Sequence, residues 1–247
     1  MSDSNSTTNS QSQDGVQAQT RLPTQAELDK AAQVDILDKN GDKKQFGTLW
    51  SRHGDIPRRT IVVFIRHFNC EVREKAYHRA NASDVDVNTD QPAKQSCADY
   101  VRALSAAFSP KDLASRSIPT SLTIVGCGSH TFISTYKERT HCEFEIYTDP
   151  SRVTYDTLGM TCNLGLGKKP NYIENSLMGT LIGTANTLMT LTTSSGKKSQ
   201  NGGELIWIDG EVKWARRMQN TRDHVEIEDL KHVLDNQEKD LGKNDAA

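Results

Sequence analysis

Among the side chains able to act as nucleophiles, Cys70 has the best position for chemistry. It follows the strongest strand signal in the chain, Thr60-Ile61-Val62-Val63-Phe64-Ile65, and it opens a polar stretch, Glu71 to Arg79, that reads as a helix. A continuous β-branched and aromatic run is expected at the centre of a parallel sheet covered on both faces. In open α/β sheets, ligands and chemistry collect just beyond the ends of such strands. A helix N-terminus there offers partial positive charge and free N–H groups, which favour thiolate over thiol. An unperturbed cysteine has a pKa of about 8.5 and is only slightly ionised near neutrality. Arg66, His67 and Arg73 are close in sequence and would strengthen the effect, Arg73 from the same face of the first helical turn. Position alone leaves two readings open, a redox thiol and a structural cysteine that happens to follow a strand.

The other cysteines are Cys97, Cys127, Cys142 and Cys162. Their scattered spacing suggests neither a secreted disulfide framework nor a zinc site, so no metal is expected. Gly126-Cys127-Gly128-Ser129-His130-Thr131 follows a strand and opens a helix, and Asp149 stands at the end of the next strand. The third glycine of a dinucleotide-binding turn is replaced by Thr131, however, and a plain strand-to-helix turn explains the other two. Gly165-Leu166-Gly167-Lys168-Lys169 fails as a phosphate loop in its glycine spacing and in having Lys169 where Ser or Thr belongs. No cofactor is expected.

The elements that must position Cys70 alternate between strand and helix. Thr24 and Glu27 form a capping box for a short helix. Val34 to Leu37 reads as a strand entering an Asn40-Gly41 turn. Gln95 to Phe108 is helical, Ser121 to Val125 a second buried strand, and Ser129 caps a helix to about Arg139. Phe144 to Tyr147 is a third strand, followed by Asp149-Pro150 and a short helix ending at Gly159. Glu204 to Ile208 and Glu211 to Arg217, joined at Asp209-Gly210, form a β-hairpin. A last helix runs from about Glu226 to Asn236. Parallel pairings early, an antiparallel hairpin late and a closing helix describe an α/β thioredoxin-like fold, a mixed central sheet flanked by helices.

At 247 residues with 35% hydrophobic content, the chain suits one domain carrying polar additions. The expected division is a disordered N-terminal tail over 1–22, a single domain over 23–237 and a charged C-terminal tail over 238–247. Insertions are expected at about 81–94 and 161–203, the second carrying an amphipathic helix from Ser176 to Thr193. A net charge of -2 gives no signature of nucleic-acid binding. No run reaches the ~20 apolar residues that span a bilayer, and the opening residues lack the pattern of a secretory signal. A cytoplasmic protein without membrane or nucleic-acid partners is expected. Asn5 and Asn81 sit in glycosylation sequons that such a location would leave unused.

Phe64-Ile65-Arg66-His67-Phe68-Asn69-Cys70 resembles the F-x-R-H-F-x-C-x-x-C signature of the peroxiredoxin-like branch of the alkyl hydroperoxide reductase/thiol-specific antioxidant family. Ile146-Tyr147-Thr148-Asp149-Pro150 with Leu158-Gly159-Met160 is similar to that family's strand, Asp-Pro turn and helix end. Gly202-Gly203-Glu204 and Arg217-Met218-Gln219-Asn220-Thr221-Arg222-Asp223-His224 resemble its late hairpin and R-M-x-N-T-x-D-H segment.

The resemblance implies a thioredoxin fold and a thiol-dependent antioxidant oxidoreductase. Peroxide, lipid peroxide or endoperoxide would be reduced through Cys70, with an external thiol reductant of thioredoxin or glutathione type. The second cysteine of the motif is replaced by Arg73, so a disulfide within it cannot form, and the Pro and Thr that precede the reactive cysteine in typical peroxiredoxins are absent. Arg66 and Arg73 would favour the thiolate. Cys127, after a strand that should lie parallel to the Cys70 strand, is the first internal candidate for resolving a sulfenic acid, and Cys162 the second. Cys97 and Cys142 are expected to be structural. Arg222 or Arg217 is the candidate for a distant arginine stabilising thiolate and peroxide. The alternative to an enzyme is a non-catalytic thioredoxin-fold binding or scaffold protein that has lost the second cysteine.

Overall fold

A computed structural model describes residues 18–51, 58–68, 96–165, 167–173 and 199–244. The strands are β1 (Asp35–Leu37), β2 (Lys43–Gln45), β3 (Arg59–Phe64), β4 (Thr120–Gly126), β5 (Glu145–Thr148), β6 (Gly203–Ile208) and β7 (Glu211–Arg217). They form one seven-stranded sheet in the order β2-β1-β5-β4-β3-β6-β7. β3, β4 and β5 are mutually parallel, whereas β6 and β7 continue antiparallel on one side and β1 and β2 on the other. The helices are α1 (Gln25–Ala32), α2 (Ser96–Ala107), α3 (Pro110–Ala114), α4 (Ile133–Thr140), α5 (Val153–Thr157) and α6 (Ile227–Asn244). A central run of parallel strands closed by a late hairpin and a terminal helix is the thioredoxin arrangement.

The unbroken apolar run of β3 has a direct physical cause. Ile61, Val63 and Ile65 face a core with Val101, Leu104 and Leu230, while Val62 and Phe64 face a second core with Leu28, Phe46 and Tyr155. Both faces are covered, so alternation disappears. The β6–β7 turn places Asp209 at φ 52° and Gly210 at φ 84°, as a two-residue hairpin loop requires. The capping box holds as read: Thr24 N–H donates to Glu27 at 2.7 Å and Glu27 N–H donates to the Thr24 hydroxyl at 3.3 Å.

Some boundaries move. The final helix was expected to stop near Asn236, with a charged tail over 238–247, yet α6 continues to Asn244. Its extension is anchored by Glu238, which accepts from the buried Arg59 and from Arg116, each at 2.6 Å. Residues 18–22, assigned to the N-terminal tail, lie against the hairpin: Arg217 donates to the Arg21 carbonyl at 2.6 Å and Gln19 donates to Asp223 at 3.0 Å. The polar strand β2 has no apolar residue to reveal it. The expected helices at Glu71–Arg79 and Ser176–Thr193, and the insertion at 81–94, lie outside the described residues. Among the described residues, no helix is long and apolar enough to cross a membrane.

Candidate active site

The parallel strands end together. Phe64 stands opposite Val125 on one side and Gly203 on the other, and Gly126 stands opposite Thr148. Ile65 N–H continues the ladder by donating to the Val125 carbonyl at 2.9 Å. The Tyr155 hydroxyl lies 2.8 Å from both the Ile65 and the Val125 carbonyl, so one phenol joins the two strand exits. Burial pushes that phenol's pKa well above its ordinary value, which keeps it a donor.

Arg66 follows directly. It is buried, and its Nε donates to the Gln200 carbonyl at 3.1 Å, tying the β3 exit to the segment that leads into β6. Cys127 is buried beside it and donates its thiol hydrogen to the Arg66 carbonyl. Gln200 pairs in an antiparallel bridge with Cys162, whose thiol donates to the Gln200 side chain at 3.3 Å. Arg66, Cys127 and Cys162 are thus gathered at one sheet edge, and of the described cysteines Cys162 alone is exposed. Cys70 and Arg73 lie outside the described residues.

The glycines of the Gly126-Cys127-Gly128 turn serve packing. A Cβ on Gly126 would come within 2.4 Å of the Phe68 ring. The Thr148 hydroxyl lies 3.0 Å from the Gly126 carbonyl and 2.6 Å from that of Gly128. Asp149 is likewise committed: it accepts from Arg152 N–H at 2.9 Å, Thr154 N–H at 2.8 Å and the Thr154 hydroxyl at 2.7 Å. Among the described residues, no cluster of His, Cys, Asp or Glu is arranged to hold a metal ion.

The two arginines after the hairpin divide. Arg217 is buried and its Nε donates to the Leu158 carbonyl at 2.6 Å while another nitrogen holds Arg21, so it fastens three segments together. Arg222 is half-buried, and burial lowers its pKa from the ordinary arginine value. The carbonyl of Arg222 accepts from the Tyr172 hydroxyl at 3.1 Å.

A further pair was missed in the sequence. His224 Nδ1 lies 2.5 Å from Glu204 Oε1, and both side chains are fully buried. Burial alone would lower the imidazole's pKa, but the Glu204 charge and then the neighbouring Cys97 raise it to about 9. The available signal was a glutamate inside the otherwise apolar strand Gly203–Ile208, since a buried carboxylate requires a partner.

A family model described as AhpC/TSA antioxidant enzyme matches residues 104–220. Peroxiredoxin-like 2C of Mus musculus is 28% identical over 208 residues, covering 82% of this chain and 78% of the relative. The Homo sapiens protein of the same name is 27% identical over the same shares. The chain is peroxiredoxin-like, with a thioredoxin fold. The family match takes in Cys127, Cys162 and Arg217 and begins after Cys70. Solved structures with a similar backbone include a thiol peroxidase from Chromobacterium violaceum, with TM-score 0.44 and 10% identity over 83% of each chain. A peroxiredoxin-like protein from Aquifex aeolicus has TM-score 0.42 and 9% identity over 86% of this chain and 85% of its own. Thiol-dependent redox chemistry is the general activity that this peroxiredoxin-like family supports.

Proposed function

We propose that the chain is an antioxidant oxidoreductase that reduces peroxides, lipid peroxides and endoperoxides among them, through Cys70. The observation that carries the reading is the construction of the β3 exit. Tyr155, Cys127 and Gln200 hold Ile65 and Arg66 in place, and Cys70 follows four residues after Arg66. A nucleophile so placed would have its carrier strand fixed on both sides, the preorganisation that thiol attack on an O–O bond needs. The thiolate sulfur attacks one peroxide oxygen, the O–O bond breaks, and the departing oxygen takes a proton to leave as water or alcohol. Sulfur becomes a sulfenic acid.

With Arg73 in place of a second cysteine, that acid must be resolved elsewhere. Cys127 is buried and engaged with the Arg66 carbonyl, which favours an external thiol of thioredoxin or glutathione type. Arg66, Arg73 and Arg222 are assigned to favouring the thiolate and orienting the peroxide. The absence of a long apolar helix among the described residues fits a cytoplasmic location. The test is peroxide consumption with each reductant, for the native chain and for Cys70→Ser. Turnover lost in the variant supports the reading, and its absence in the native chain with every reductant would leave the scaffold alternative.

A further inference from the structure

The buried pair His224–Glu204 does not stand alone. The Tyr100 ring stacks on the imidazole with centroids 4.2 Å apart and planes 5° from parallel. Cys97 precedes Tyr100 by three residues on α2, so it shares that helix face, and both are wholly buried in the core against which His224 packs. Tyr172 leans on Tyr100 from the far side at 5.0 Å, and Arg216 of β7 adds a cation whose charge is felt by Glu204. Three polar atoms here have no hydrogen-bond partner among the described residues: Tyr100 Oη, Glu204 Oε2 and His224 Nε2. Buried polar atoms without partners are rare in native folds, and a cluster of them calls for a small polar guest or a chemical role.

A thiol, an imidazole and a carboxylate in sequence make the constellation that activates a cysteine. Glu204 on Nδ1 fixes the ring and its tautomer and leaves Nε2 for other work. Thr161, Gln200 and Cys127 belong to the other end of the edge already described, so this cluster is separate from it. We propose that Cys97, His224 and Glu204 form a second thiol redox site, whose substrate is hydrogen peroxide or another hydroperoxide small enough to enter a buried pocket. The Cys97 thiolate attacks a peroxide oxygen, an S–O bond forms as the O–O bond breaks, and protonated His224 gives its Nε2 proton to the departing hydroxide. Cys97 is oxidised to the sulfenic acid, the peroxide is reduced to water, and the neutral imidazole keeps Nδ1–H on Glu204. Entry requires local opening, so oxidation here is slower than at an exposed thiol. Tyr100 Oη and Glu204 Oε2 supply one donor and one acceptor for the peroxide.

Cys142 provides an internal control. It is also buried, but it lies by the Phe144 carbonyl and burial pushes its thiol pKa up. The experiment uses the full-length Cys70→Ser protein, so that failure of the Cys70 reading and failure of this one are read separately. The protein is exposed to hydrogen peroxide with a dione that traps sulfenic acids, and each cysteine peptide is quantified by mass spectrometry. Trapping at Cys97 about tenfold faster than at Cys142 is the expected result, with His224→Gln and Glu204→Gln bringing it down to the Cys142 rate. Equal trapping at Cys97 and Cys142 overturns the proposal whether or not the variants fold. Unchanged trapping in a folded His224→Gln protein overturns it as well.

Discussion

The Cys127 thiol donates to the main-chain carbonyl of Arg66, joining the ends of adjacent parallel strands at the edge where the proposed nucleophile emerges. A serine keeps that donor. Cys127→Ser is therefore expected to change unfolding free energy by no more than about 1 kcal/mol and, with an external thiol supplied, to leave peroxide turnover within roughly twofold. Loss of turnover by about tenfold or more, with sulfenic acid accumulating on Cys70, would instead make Cys127 the resolving thiol.

Two glycines at the same edge should respond unequally to alanine. A Cβ on Gly202 would fall 1.7 Å from the Phe64 carbonyl oxygen, a main-chain atom of the central strand. A Cβ on Gly126 meets only the Phe68 ring, which can swing. Gly202→Ala is expected to lose about 3 kcal/mol or more and Gly126→Ala about 1–3 kcal/mol. Urea denaturation measures both, and a Gly202→Ala protein as stable as the native chain would contradict the packing.

Much of this arrangement could be read from residues alone, for reasons that differ by element. The β3 run was legible because burial on both faces leaves only apolar side chains, and the β6–β7 turn because Asp209-Gly210 suits two positive φ angles. The helix end beyond Asn236 was not legible. Glu238 looks like a solvated charge until Arg59, far away in sequence, is found buried against it. The Glu204–His224 pair was hidden in the same way, its members lying 20 residues apart on a strand and the loop before α6. Long-range polar pairing leaves no periodic trace.

Arg217 and Arg222 should separate stability from chemistry. Arg217 is buried and holds the Leu158 and Arg21 carbonyls, so Arg217→Ala is expected to lose about 3 kcal/mol because it strands two buried acceptors. Arg222→Ala should be nearly neutral in denaturation while lowering peroxide turnover by about tenfold, as expected of one electrostatic contact to a reacting group. Equal effects of the two substitutions on both readouts would contradict this division.

The His224–Glu204 pair predicts a dependence of stability on pH. Its folded pKa, raised to about 9, lies above the ordinary histidine value of 6.5, so the folded state binds the proton more tightly than the unfolded chain does. The stabilisation is complete below about pH 6.5 and is lost as pH rises through about 9. Its size should be of order 1–3 kcal/mol. Denaturation midpoints at pH 6 to 10 test this, and His224→Gln should flatten the decline. A native chain equally stable across that range would show that the imidazole is not held protonated.

The most direct test of the central claim is the rate of alkylation of Cys70 as a function of pH. If Cys70 is a redox nucleophile, its apparent pKa should lie at least about one unit below the ordinary 8.5, and Cys70→Ser should abolish the fast-labelling phase. A pKa at the ordinary cysteine value would contradict the assignment of Cys70 as an activated thiol and favour a thioredoxin-fold binding protein.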